Sequence, residues 1–103
     1  MAYNQRSSDV RVARRFLISG RVQGVGFRYF VQTVASREQL AGWVRNLPDG
    51  HVEAFAEGPE EHLDRFEAQL RVGPPGSNVA RVDRIDRADA VSERRPLTRF
   101  EIR

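Results

Sequence analysis

The stretch Gly20-Arg21-Val22-Gln23-Gly24-Val25-Gly26-Phe27-Arg28 joins three glycines to an arginine. Glycine accepts positive φ and has no Cβ, so successive backbone N–H groups here can turn toward one anion. A guanidinium adds a forked pair of donors that an ammonium lacks. The chemistry on offer is capture of a phosphoryl group by the main chain of Val22, Gln23, Gly24, Val25, Gly26 and Phe27, closed by Arg28. The second residue of interest is Asn46. Its carboxamide has no useful proton affinity and cannot act as a base, but it can direct a water molecule at phosphorus.

These residues need elements to hold them. Val12, Ala13, Phe16, Leu17 and Ile18 form an apolar run ending at a glycine, the pattern of a largely buried strand. Phe27, Phe30, Val31, Val34 and Ala35 then recur at spacings of three and four. This predicts a helix from 27 to about 39, with Arg28 in its first turn. Residues 42–47 read as a strand, Pro48-Asp49-Gly50 as a tight reversal, and 51–57 as the returning strand. At Gly58-Pro59-Glu60-Glu61 a second helix is expected to start, with proline at its first position and two carboxylates against the positive end of the dipole. Its buried stripe is Leu63, Phe66 and Leu70, and Gly73-Pro74-Pro75-Gly76-Ser77 stops it. Segment 79–87 is expected to be a charged edge strand, 88–96 irregular, and Phe100 and Ile102 part of a short closing strand.

Strand, helix, strand, strand, helix, strand is the split pattern of the ferredoxin-like fold. The expectation is an α+β sandwich, βαββαβ, with two helices on one face of an antiparallel sheet and a short C-terminal strand. A right-handed crossover through the first helix makes strand 42–47 parallel to the first strand, so their C-terminal ends share one edge. The glycine loop leaves one of those ends and Asn46 lies near the other. A phosphoryl group between them meets backbone N–H groups, Arg28 and the start of a helix dipole. Without an obvious acid/base pair, the leaving group has to depart unaided at neutral pH. A carboxylate does so, whereas an alcohol wants a general acid. An acyl phosphate fits best.

At 103 residues the chain is one small domain, with residues 1–10 read as a flexible N-terminal segment and 11–103 as the folded unit. Hydrophobic residues at 40% and charged residues at 30% are ordinary globular composition. The absence of cysteine excludes disulfides and thiolate metal sites and makes the cytoplasm the expected location. No secretion signal or membrane-length apolar stretch is present. A net charge of +3 and a pI of about 10.5 favour anionic partners without choosing between nucleic acid and small phosphates.

With both motifs stated, the chain resembles the acylphosphatases, which hydrolyse carboxyl-phosphate anhydrides. The pattern Gly-x-Val-Gln-Gly-Val-x-Phe-Arg is present at 20–28 and Gly-Trp-Val-x-Asn at 42–46, and the likeness spans roughly residues 12–103. The resemblance implies a ferredoxin-like fold acting without metal or cofactor; separately, the chain is expected to be a monomer. The resemblance also implies phosphate binding by Arg28 and the main chain around Val22–Phe27, and a water held by Asn46. In the mechanism proposed for the family, the bound phosphate helps accept the water proton. Inorganic phosphate is then both product and inhibitor. One departure is Glu38-Gln39-Leu40, where bacterial members usually read Leu-Gly-Leu; a helix-stopping glycine is lost.

Two rivals share the fold class. An RNA-binding domain would suit the arginine excess, but its aromatic stacking signature is absent, so no nucleic acid is expected. A regulatory module like that of hydrogenase-maturation carbamoyltransferases would continue into zinc-ligand cysteines, which are also absent. Trp43 reads as packing, His51 and His62 as lone histidines without partner ligands, and Glu60 and Glu61 as dipole compensation.

Overall fold

Alternation along β1 (Arg11–Arg21) sends Phe16 and Ile18 to one face of the sheet, where both are fully buried. The computed structural model describes residues 11–85 and 98–103; the segment 1–10 and the irregular stretch expected at 88–96 lie outside the described residues. After β1 come α1 (Phe27–Arg37), β2 (Ala41–Asn46), β3 (Val52–Pro59), α2 (Glu60–Val72), β4 (Asn78–Arg84) and β5 (Phe100–Ile102). The sheet order is β4-β1-β3-β2-β5. Every ladder is antiparallel except β2–β5, which is parallel and makes the sheet mixed. Because β1 and β2 both run against β3, they point the same way and end at one edge.

Val31, Val34 and Ala35 of α1 and Leu63, Phe66 and Leu70 of α2 form one core with Phe16, Ile18, Val44, Val52, Ala54 and Ala56. Each large side chain buried there is worth about 1.5–3 kcal/mol against exposure. On the opposite face Trp43 stacks on Phe55, its cross-strand partner, with ring centroids 6.0 Å apart. The guanidinium groups of Arg45 and Arg103 lie 5.4 and 5.1 Å from the indole centroid. Trp43 is a packing residue.

Three local expectations change. Gly20 belongs to β1 and sits at a bulge against β4, where a Cβ would collide with the Asn78 carbonyl and the Ala80 nitrogen. It serves strand approach, and the phosphate loop begins after it. Pro59 is the extended residue that closes β3 and caps α2, so the helix starts one position later, with Glu60 and Glu61 in its first turn. Helix α1 ends at Arg37 rather than near Gln39.

The end of α1 keeps the turn that a glycine would make. The Leu40 N–H donates to Ala35 O at 2.8 Å and the Gln39 N–H to Ser36 O at 3.1 Å, the paired bonds of a Schellman motif. Gln39 adopts the left-handed conformation, with φ 59. Glu38 compensates by bonding Arg65 Nε at 3.0 Å, while its main-chain oxygen lies 2.6 Å from His62 Nδ1. Relief of the strain at Gln39, less the extra chain entropy of glycine, leads us to predict that Gln39→Gly gains about 0.5–1 kcal/mol. The readout is a higher urea midpoint at constant slope, and a lower midpoint would refute the strain.

Helix α2 is tied to β1 and β4 by charge. Glu67, buried, accepts from Arg71 at 2.7 Å and Arg84 at 2.8 Å, and buried Arg14 donates to Asp64 at 2.9 Å. Burial works to raise the Glu67 carboxyl, but the hydrogen bonds and charges of Arg84 and Arg71 outweigh it and hold it below the ordinary carboxylate value. That contribution is present above the unfolded carboxylate pKa of about 4.3 and is lost as pH falls through the lower folded value. Glu67→Gln is therefore expected to cost about 1–3 kcal/mol at pH 7, with the gap to wild type closing in acid. Urea titrations at several pH values measure this; a pH-independent gap would contradict it.

Candidate active site

The turn from β1 into α1 is anchored at both ends by buried side chains, Val22 and Phe27, which belong to the core. Between them Gly24 and Gly26 both adopt φ 76. A Cβ at either would meet nothing within 4 Å, so the backbone angle rather than crowding calls for glycine, and the space beside the loop is open. Gly26 caps α1 without a side-chain hydrogen bond, and no acidic residue occupies the first turn of α1. Among the described residues, the N–H groups of Gln23, Gly24, Val25 and Gly26 donate to no oxygen. Free donors and an uncompensated helix N-terminus make this end electropositive.

A cavity of about 110 Å³ opens here, lined by Val22, Gly24, Gly26, Phe27, Arg28, Tyr29 and Asn46. Its size is that of a small anion and little more. Arg28, second residue of α1, donates from Nη1 to the Arg103 main-chain oxygen at 3.3 Å. No side-chain carboxylate pairs with it among the described residues. Asn46, the last residue of β2, pairs with Val52 in register and comes from a different strand to the same cavity.

Most of the residues expected from sequence meet there: Val22, Gly24, Gly26, Phe27, Arg28 and Asn46. Gln23 and Val25 do not line the cavity. The Gln23 side chain turns toward the β2–β3 connection, and Val25 packs partly buried against the core. Sequence reasoning missed Tyr29, which lines the cavity at 66% exposure, although its place beside Arg28 in the first helical turn was a usable signal. It also missed Arg103, whose contribution is a main-chain oxygen.

The β2–β3 turn is itself braced. The His51 N–H donates to Asp49 Oδ1 at 3.0 Å, and His51 Nδ1 lies 2.8 Å from the same oxygen. The backbone N–H of His51, followed by its ring, holds the Asp49 carboxyl below its usual value. No group of three or more His, Cys, Asp or Glu suited to a metal ion occurs among the described residues.

A ferredoxin-like α+β sandwich with a small cavity at its first strand–helix turn defines the class. The sequence model of the acylphosphatase family matches residues 14–102, and the chain belongs to that family. It is 59% identical over 66 residues to an acylphosphatase of Bacillus velezensis, covering 64% of this chain and 73% of that one. The crystal structure of acylphosphatase from Bacillus subtilis superposes with a TM-score of 0.81 at 41% identity, covering 91% of this chain and 99% of that one. HypF from T. kodakarensis matches at a TM-score of 0.73 and 27% identity, covering 91% of this chain but 12% of the larger protein. Membership makes the chain a hydrolase of small acyl phosphates.

Gly26→Ala is expected to weaken binding of inorganic phosphate several-fold and to cost about 1–2 kcal/mol of stability, because alanine resists the left-handed angle. Calorimetric titration with phosphate and urea unfolding check both; undiminished phosphate affinity would remove the loop from the cradle.

Proposed function

We propose that the cavity binds the phosphoryl group of an acyl phosphate and that Arg28 and Asn46 carry the hydrolysis. The observation that carries this reading is the convergence of Gly24, Gly26, Arg28 and Asn46 on one cavity of about 110 Å³. Main-chain N–H groups over 22–27 and the Arg28 fork hold the phosphoryl oxygens, and they stabilise the charge that builds on them in the transition state. Asn46 orients water for in-line attack. Among the described residues no carboxylate or imidazole lines the cavity, so the water proton passes to a phosphoryl oxygen, while the carboxylate leaves without a general acid. Neither metal nor cofactor takes part.

The same reading makes the folded unit, 11–103, a cytoplasmic monomer inhibited by its product phosphate. What supports setting nucleic acid aside is the sheet face: Trp43 and Phe55 are 6% and 1% exposed, leaving no aromatic platform for bases there.

Turnover of benzoyl phosphate in the presence of a chelator tests the assignment. Arg28→Ala and Asn46→Ala are each expected to lose at least 100-fold in kcat/KM, on the scale of losing one oxyanion donor or a positioned water. Arg28→Ala also weakens inhibition by phosphate, whereas Asn46→Ala spares it. Full activity in either variant would strip that residue of its role.

A further inference from the structure

Gln23 interrupts the loop with a side chain that does not face the cavity. Its Nε2 lies 2.8 Å from Leu47 O and 2.8 Å from His51 O. Only the NH2 end of a carboxamide can face two carbonyl oxygens, so the orientation is fixed by chemistry and both donor hydrogens are in use. Leu47 directly follows Asn46, and His51 directly precedes Val52, the register partner of Asn46. The Leu47 N–H also donates to His51 O at 2.8 Å. Gln23 thus closes the hairpin at the rung beside Asn46.

We propose that Gln23 is a positioning residue that sets Asn46 against the phosphate loop, an inference that rests on the roles given above to Arg28 and Asn46. The loop follows β1 and Asn46 ends β2, and β3 lies between those strands. The sheet alone therefore links the two halves of the site only through an intervening strand. The Gln23 carboxamide links them directly. A turn that pivots by a fraction of an ångström moves the Asn46 carboxamide off the line of attack, and misplacement of about 1 Å can cost 100-fold in rate. Phosphate capture by the loop needs no such alignment.

The test is kinetic, with Gln23→Met, which keeps the length and removes the donors, and Gln23→Glu, which sets a carboxylate against two carbonyls. On benzoyl phosphate, kcat is expected to fall about 10- to 100-fold in both. In Gln23→Met, which adds no charge, KM and the inhibition constant of inorganic phosphate should stay within about twofold. In the Asn46→Ala background, Gln23→Met should cost less than about twofold, because the group it positions is gone. The same penalty in both backgrounds would overturn the proposal. So would phosphate affinity falling in step with kcat, which is the mark of a collapsed loop. If Asn46→Ala leaves too little turnover to divide, the split between kcat and phosphate inhibition decides alone. A wild type inert toward acyl phosphates, or a fully active Asn46→Ala, would instead defeat the underlying reading.

Discussion

A backbone N–H without an acceptor is tolerated where water or a ligand can reach it, since leaving it buried and unpaired costs about 1–3 kcal/mol. The segment Gln23–Gly26 keeps its backbone donors unused among the described residues, so it has to lie at the surface. Surface loops ordinarily relax. This one is held by Val22 and Phe27, which are buried on either side of it, and by left-handed angles at Gly24 and Gly26. The proposed anion cradle is a piece of backbone whose shape comes from the core below it.

The split topology then sets the distance between the two halves of the site. Strands lie about 4.8 Å apart, so β1 and β2, with β3 between them, end roughly 10 Å from each other. Adjacent strands would bring the loop and Asn46 too close to admit a phosphoryl group with a water beside it. The parallel direction of β1 and β2 is equally necessary, because it puts both ends on one edge. The βαββαβ order supplies separation and direction together.

What could be read from the sequence followed from local rules. The helix stripes, the Asp-Gly reversal, and Arg28 and Asn46 at one sheet edge come from spacing and connection handedness alone. Gly20 escaped because its role depends on neighbours far along the chain. Gly20 looks like its loop neighbours in sequence, and only the approach of Asn78 and Ala80 shows that it serves β4. The Gln23 side chain and the Arg28 tether escaped for a different reason. Their acceptors are main-chain oxygens of Leu47, His51 and Arg103, and a carbonyl has no signature in a sequence. Glu38-Gln39 looked like the loss of a helix stop, yet the stop survives, since buried Ala35 and Leu40 and the two turn hydrogen bonds hold Gln39 in a conformation it would not choose.

Arg28 shares with Arg11, Arg21 and Arg37 the lack of a side-chain carboxylate partner among the described residues, but of these four it is the one that lines the cavity. Arg14, Arg45, Arg65, Arg71 and Arg84 each lie within ion-pair distance of a carboxylate; the pairs of Arg14 and Arg84 fasten α2 to the sheet, that of Arg45 joins β2 to β3, that of Arg65 joins α2 to the end of α1, and that of Arg71 lies within α2. Much of the positive charge that composition suggests for a polyanion surface is thus neutralised locally. Arg28 bonds only a main-chain oxygen among the described residues. No Asp or Glu side chain lies within ion-pair distance of it among the described residues, so the rest of its forked donor set stays open toward the cavity it lines, as electrostatic stabilisation of a phosphoryl transition state requires.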